Sequence, residues 1–402
     1  MIHSFSCKNF YSFDDETFVS FVVNEKTPDN NGYFKTPSGN RLSKVETVIG
    51  SNASGKTNLL KILPFLKWLI VDSLKNPSKS IPVRPFAFND DSKHPTELSV
   101  DFEIDEDIFT YMFSLKDGRI LSEELKVRNK TKEKNTTKKV FSRIWNEKDT
   151  KYDFDGKGFN LPKKFENLLP SGASIIALAK GLNHKQSQTL AKYWEKIETN
   201  VIEAGWIGDH LLPNASANLI EAFNFYSDNQ SLKEEAEKLL KRFDLGLEGF
   251  DIKKEKQNDG FSINVRAVHS FGGEKQYLPI QYESSGTKQL FVLLKTILQV
   301  LTQGGVAILD EFDVSLHPDM VLSLFELFIQ PEINPHNAQL LFSTHSHVVL
   351  SKLDKYQIIL IEKNKNGASD AWRLDEMSGV RADDNYYTKY LAGAYGATPK
   401  IN

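Results

Sequence analysis

Eight consecutive residues, Gly50, Ser51, Asn52, Ala53, Ser54, Gly55, Lys56 and Thr57, fit the pattern G-x-x-x-x-G-K-[ST] at every fixed position. These residue types at this spacing suit phosphate binding. The glycines let the backbone curl so that its N–H groups face inward. Lys56 is placed to reach the β- and γ-phosphates of a nucleotide, and the Thr57 hydroxyl to ligate Mg²⁺. Such a loop needs a strand before it and a helix after it. Val45-Glu46-Thr47-Val48-Ile49 supplies a short apolar run. From Asn58 to Val71, residues Leu59, Leu60, Ile62, Leu63, Leu66, Leu69 and Ile70 recur at helical spacing. The start of that helix adds the positive end of its dipole to the anion site.

A second group of candidates lies far along the chain. Glu283-Ser284-Ser285-Gly286-Thr287-Lys288-Gln289 leads into an apolar helix over 290–301. A Ser-Gly turn at a helix start, here Ser285 and Gly286, is another anion-binding element. Val306-Ala307-Ile308-Leu309 then reads as a buried strand ending in Asp310 and Glu311. Asp310 is placed to hold Mg²⁺ through water, and Glu311 to polarise an attacking water. A buried strand ending at an acidic turn is common, and the phosphate loop is what gives this one meaning. A further strand, Leu340 to Ser343, ends in Thr344-His345-Ser346-His347. His345, at a strand's carboxyl end, is positioned to contact a γ-phosphate. His317 and His347 are read as structural or interfacial. His345 and His347 are spaced like a metal pair, but no third ligand cluster accompanies them.

The elements that must carry these residues can be outlined. Ile2 to Ser6 and Phe18 to Val23 read as strands, 24–43 as a loop, and 97–128 as an antiparallel meander turning at Asp117-Gly118. Pro77 to Pro95 reads as irregular. Residues 162–245 look mainly helical, clearest over Gln186 to Ala204 and Ser231 to Phe243, where Ser231 and Glu234 have capping-box spacing. Gly249 to Glu255 and Phe261 to His269 alternate like strands around an Asn258-Asp259-Gly260 turn, and Asp319 to Ile329 reads as a helix. Between Lys126 and Arg143 stand eight basic residues against one acid, Glu133. This run is either a solvated loop or a basic hairpin that touches phosphate backbones. No aromatic residue falls between 129 and 140, which argues against stacking on single strands.

In its 402 residues the chain has an ordinary 40% hydrophobic content and a net charge of −3, so no global basic field advertises nucleic acid. One cysteine, Cys7, leaves no internal disulfide and no CxxC zinc site. No apolar run long enough for a membrane span and no signal peptide is evident, and a cytoplasmic location is expected.

The order of phosphate loop, Ser-Gly signature, Asp-Glu strand, Asp313 loop and His345 resembles the ABC-type ATPases, in particular the soluble branch with RecF, the SMC proteins and the OLD-type ATPases. The 254 positions from Lys56 to Asp310 belong to that resemblance. Lys8-Asn9-Phe10-Tyr11-Ser12-Phe13 and the ending Tyr390 to Pro399 look like the compact bacterial AAA15-like ATPases found in phage-defence gene pairs. The resemblance implies an α/β ABC-type ATPase head, a P-loop parallel-sheet core plus an antiparallel β subdomain, with a mainly helical insertion. Its divisions would be 1–128, 129–244 and 245–402. ATP and Mg²⁺ are the implied cofactors. A head-to-tail homodimer, or a larger assembly built on it, is implied, in which Ser285 and Gly286 address the γ-phosphate held by the other subunit. The implied function is a sensor or regulatory subunit of an anti-phage system that controls a separate effector, a nuclease or toxin, with DNA or RNA as a further candidate partner and no membrane. The OLD-type relatives carry a fused nuclease after the ATPase, and no Glu plus Asp-x-Asp set for one follows His345. The alternative is a RecF-like DNA-binding repair or clamp ATPase. A transporter's nucleotide-binding domain fits less well, given the N-terminal strands and the chain's ending. The glutamine that many relatives place between loop and signature has no counterpart in Pro85-Phe86-Ala87-Phe88-Asn89.

Overall fold

The computed structural model describes residues 1–75, 81, 83–88, 94–131, 134–201, 215–243, 246–257, 260–314 and 316–399. Parts of the irregular stretch 77–95 including Asn89, Lys132 and Glu133 of the basic run, residues 202–204 of the expected helix, and the Asn258-Asp259 turn lie outside the described residues.

The chain opens with β1 (Ile2–Lys8), β2 (Thr17–Ser20), β3 (Tyr33–Lys35), β4 (Arg41–Ser43) and β5 (Val45–Ile49), then α1 (Lys56–Leu60) and α2 (Ile62–Val71). An antiparallel run follows: β6 (Thr96–Ile104), β7 (Asp107–Lys116), β8 (Arg119–Thr131), β9 (Lys134–Asn146) and β10 (Lys151–Asp155). Next come α3 (Ile175–Gly181), α4 (Lys185–Glu195), β11 (Ile197–Thr199), α5 (Ala215–Asp228) and α6 (Gln230–Arg242). The last part holds β12 (Leu247–Gln257), β13 (Gly260–Phe271), β14 (Glu274–Pro279), α7 (Ser285–Gln303), β15 (Val306–Leu309), α8 (Pro318–Ile329), β16 (Gln339–Ser343), β17 (Ile358–Lys363), β18 (Ser369–Arg373) and α9 (Tyr386–Leu391).

Two sheets organise these elements. The seven-stranded antiparallel sheet runs β10-β9-β8-β7-β6-β1-β2, and the six-stranded sheet runs β11-β15-β16-β5-β17-β18. Its first five strands are parallel, with β18 added antiparallel at the edge. A parallel sheet is stable when both faces are covered, so its strands are apolar throughout. Here Val48, Ile308, Leu341 and Ile359 enter a core shared with α2 and the antiparallel sheet. Their neighbours Ile49, Leu309, Phe342 and Leu360 enter a second core under α7 and α8. Cys7 is buried in the first core, and that burial pushes its thiol pKa up. Among the described residues no helix is long and apolar enough to cross a membrane.

Several sequence expectations change. The helix after the phosphate loop is two helices meeting at Lys61, because Pro64 has no N–H to donate to Leu60. The helix expected over 186–204 ends at Glu195, and Ile197–Thr199 becomes a strand paired with Val306–Ile308. Burial of Ile197 and Val201 outweighs local helical preference there. The Ser231–Glu234 capping box does not form, since α6 begins one residue earlier behind Asn229. Of the two readings of the basic run, its described residues take the hairpin one, as strands β8 and β9, and β8 crosses the 128/129 division.

Candidate functional site

The strand order decides what meets what. With β16 between β5 and β15, the carboxyl ends of three parallel strands bring together the loop after Ile49, the turn after Leu309 and the turn after Ser343. Gly50 leads the loop in contact with β17: a Cβ there would stand 2.2 Å from the Ile361 carbonyl oxygen. Ala53 takes a left-handed φ of 59°, and Gly55 one of 115°. Gly55 is also pressed from behind, its would-be Cβ lying 2.3 Å from Ser369 Oγ and 2.8 Å from Ser12 Oγ. Ser369 Oγ donates to the Ser54 carbonyl and is hydrogen-bonded to Ser12 Oγ (2.8 Å), and Asn58 Nδ2 donates to Ser12 Oγ (2.9 Å). The Phe10–Phe13 turn and the start of β18 therefore brace the loop.

Gly55 caps α1 without a side-chain hydrogen bond, leaving first-turn N–H groups open to an anion. Ser51 is half-buried and Asn52 exposed at the rim. Lys56 folds back into the loop, donating to the carbonyls of Gly50 (2.9 Å) and Ser51 (3.1 Å). Burial lowers its pKa, while Asp310, Glu311 and Asp313 pull the other way.

Thr57 Oγ1 donates to Asp310 Oδ2 at 2.6 Å, closing the sequence gap between loop and acidic turn. The second Asp310 oxygen accepts from Ser343 Oγ, and Ser343 Oγ in turn accepts from the Glu311 N–H (2.8 Å). Glu311 is exposed and has a left-handed φ of 47°. For a non-glycine residue this backbone costs on the order of 1 kcal/mol or more, and such outliers gather at functional sites. The His345 N–H donates to both oxygens of Asp313, at 3.0 and 3.1 Å, and the imidazole of His345 is exposed. His347 is packed against the Tyr390 ring, 4.8 Å between centroids, and burial lowers its pKa. His317 caps α8, accepting from the Asp319 N–H.

Thr57 and Asp310 offer a hydroxyl and a carboxylate, hard oxygen donors of the kind that suits Mg²⁺. Among the described residues no group of three or more His, Cys, Asp or Glu side chains could hold a metal ion. A cation at this pair would thus take its other ligands from water and phosphate, the usual habit of Mg²⁺.

Ser285 and Gly286 open α7, whose start is capped by Ser284 Oγ accepting from the Thr287 N–H (3.0 Å). Ser285 faces a cavity of about 540 Å³ shared with Glu311, Phe312, Asn200 and Gln289. Residues 50–58 do not line this cavity. A smaller cavity of about 240 Å³, walled by Tyr11, Arg84, Phe86, Phe88 and Lys363, adjoins Asn58 and Ser12. The Pro85–Phe88 stretch thus lies beside the phosphate loop.

Two members of the site were not singled out in the sequence. Ser343 was visible only as a strand end. Asn200, just past β11, grips Asp310 by its backbone, accepting from the N–H (2.7 Å) and donating to the carbonyl (2.9 Å).

Residues 47–351 match the model of the family described as "AAA domain, putative AbiEii toxin, Type IV TA system". The chain belongs to this family. Within this AbiEii-type AAA family it is a P-loop NTPase with the fold of an SMC head. No curated protein matches it. Among solved structures it is similar to an SMC head bound to the C-winged helix domain of ScpA, with 15% identity, TM-score 0.51, and 93% of this chain and 99% of the other covered. It also matches an SMC head domain from Thermotoga maritima (15% identity, TM-score 0.41, coverage 92% and 98%). The first of these likenesses shows an SMC-head-like α/β fold, consistent with an ABC-type ATPase head.

Proposed function

We propose that this AbiEii-type AAA protein binds and hydrolyses ATP with Mg²⁺, closes as a head-to-tail homodimer around the nucleotide, and through that closure governs a separate effector protein, a nuclease or toxin. The observation that carries the reading is the 2.6 Å contact between Thr57 and Asp310, at the mouth of a loop whose lysine is bonded to its own carbonyls. Phosphate oxygens are the natural replacement for those carbonyls as acceptors for Lys56. Mg²⁺ held at Thr57 and Asp310 would neutralise charge developing on the β- and γ-phosphates. The loop from Gly50 to Asn58 would wrap the phosphates, and the nucleobase would lie in the aromatic cavity of Tyr11, Phe86 and Phe88.

Glu311 would orient and polarise the attacking water, its backbone fixed by Ser343. His345, held by Asp313, would hydrogen-bond the γ-phosphate. Ser285 lines a cavity that residues 50–58 do not line, and the start of its helix, with Gly286, would meet the phosphates held by a second subunit. The family description names a toxin–antitoxin system, in keeping with a two-component arrangement. The similar SMC head is described as bound to part of ScpA, so a partner protein on a head of this fold has precedent. Residues 129–244, set between the two halves of the head, would be the part that distinguishes this regulator from its relatives.

The test is a pair of variants. Glu311→Gln should slow turnover by roughly 10²- to 10⁴-fold while retaining ATP, and should elute as a dimer with ATP and Mg²⁺ in light-scattering chromatography. Ser285→Arg should bind ATP as a monomer and fail to dimerise. Normal turnover by Glu311→Gln would remove Glu311 from its role, and an ATP-bound dimer of Ser285→Arg would remove the signature from the interface.

A further inference from the structure

The smaller cavity beside the phosphate loop carries more than aromatic walls. One wall is tied to the turn that braces the loop. The Tyr11 N–H donates to the Arg84 carbonyl (2.8 Å), and the Phe86 N–H donates to Asn9 Oδ1 (2.8 Å). Asn9 and Tyr11 both hold a left-handed φ of 50°, a backbone that non-glycine residues keep only where their surroundings impose it. Phe86 is buried and meets Phe88 edge-on, 5.5 Å between ring centroids. Arg84 and Phe86 are therefore held at a set place in the same cavity wall as Asn58, the residue that follows Thr57.

The polar lining is one-sided. Arg84 and Lys363 bring two cations to the cavity, and both residues are exposed. Lys363 Nζ donates to the Gly367 carbonyl (2.8 Å), which uses one of the ammonium's protons and leaves the others. The Asn58 amide is committed, its Nδ2 donating to Ser12 Oγ (2.9 Å) and its Oδ1 accepting from Lys61 Nζ (3.1 Å). Among the described residues no acidic one lines this cavity. Glu362, next to Lys363 on β17, points to the opposite face of that strand and accepts from the Ala397 N–H (3.0 Å).

What a purine offers such a wall depends on its 6-position. Adenine presents an amino donor there beside the N7 acceptor. Guanine presents a carbonyl beside N7, two neighbouring acceptors that an arginine or lysine can bind together. Cationic donors suit the second arrangement and leave the adenine amino group facing other donors. The rings of Tyr11 and Phe86 can stack on either base and do not discriminate, because every base has a π-face. We propose that the cavity favours purines with a 6-carbonyl, so that this protein takes GTP at least as readily as ATP, with Arg84 as the residue that sets the preference and Lys363 assisting it. This rests on the reading that the phosphates lie on Gly50 to Asn58 and the base in this cavity, and it widens the nucleotide class of that reading.

Isothermal titration of the full chain with ATP, GTP, ITP and 7-deaza-GTP, each with Mg²⁺, tests the proposal. GTP should bind at least as tightly as ATP. ITP keeps the 6-carbonyl and N7 of guanine without its 2-amino group, and should bind within about threefold of GTP. The 7-deaza analogue lacks the N7 acceptor and should bind roughly tenfold more weakly than GTP. Arg84→Ala should lower the ratio of GTP to ATP affinity roughly tenfold or more. Arg84→Glu, which offers acceptors to an adenine amino group, should turn the preference toward ATP. ATP binding more than about tenfold tighter than GTP to the parent would overturn the proposal and leave the nucleotide site standing. An Arg84→Ala protein with the parental ratio would do the same. Binding of neither nucleotide by the parent would overturn the site and the base preference together.

Discussion

Ser343→Ala isolates the side chain that ties the acidic turn to the sheet. Ser343 Oγ accepts from the Glu311 N–H at 2.8 Å and donates to Asp310 Oδ1, and the residue is fully buried. Alanine removes both bonds at once. A buried N–H left without a partner costs about 1–3 kcal/mol, and a hydrogen bond to a carboxylate contributes about 1.5–3 kcal/mol. Glu311 and Asp310 are partly solvated, so water recovers some of this, and a net loss of about 2 kcal/mol is the reasonable figure. Part of that loss falls on stability. The rest lets Glu311 relax from its left-handed backbone at φ 47°, because the bond that holds its N–H has gone. If half the loss is positional, turnover should fall about fivefold, and if all of it is, about thirtyfold. KM for ATP should change little, since no phosphate-loop atom is touched. The assay is steady-state ATP hydrolysis beside a thermal melt, with Ser343→Thr, which keeps the hydroxyl, as control. Turnover within twofold of the parent and an unchanged Tm would refute the reasoning.

Two further perturbations address the loop and the strand that carries it. Gly50→Ala places a Cβ 2.2 Å from the Ile361 carbonyl, a backbone atom that cannot swing away, so the loop must shift. ATP affinity by isothermal titration should drop at least about tenfold, and parental affinity would show that the loop is not held against β17. Glu46→Gln tests a buried carboxyl with both oxygens unpartnered among the described residues, whose pKa is raised by burial against the opposing pull of Arg373. The folded state binds this proton more tightly than the unfolded chain, so stability falls as pH rises from the ordinary carboxyl value of 4.5 toward the raised one. Glutamine cannot ionise. The Glu46→Gln protein should therefore lose less Tm than the parent between pH 5 and pH 8, by differential scanning calorimetry, and parallel pH profiles would count against a neutral Glu46.

What could be read from the sequence was what sits in one short stretch of chain. The strand before Gly50, the helical run after Thr57 (though not its break at Lys61) and the acidic turn after Leu309 all announced themselves by local periodicity and residue type. Elements stabilised from a distance did not. Ile197–Thr199 is a strand because Val306–Ile308 lies beside it, and three residues after a helical run carry no period of their own. Asn200 became visible with that strand, since its two bonds to Asp310 span 110 positions. The same holds for Ser369 and Ser12, which meet behind Gly55 across 357 positions, and for Ser343, 33 positions from Asp310. In each case the chemistry-bearing residue stood out and the residue that fixes its geometry did not. The reason is physical: phosphate and metal chemistry restricts side-chain type and spacing, whereas a supporting hydrogen bond needs only some donor or acceptor at the right point in space. The sheet order, with β16 set between β5 and β15, is what turns three separate stretches of sequence into one site, and that order is a property of long-range pairing and not of any segment alone.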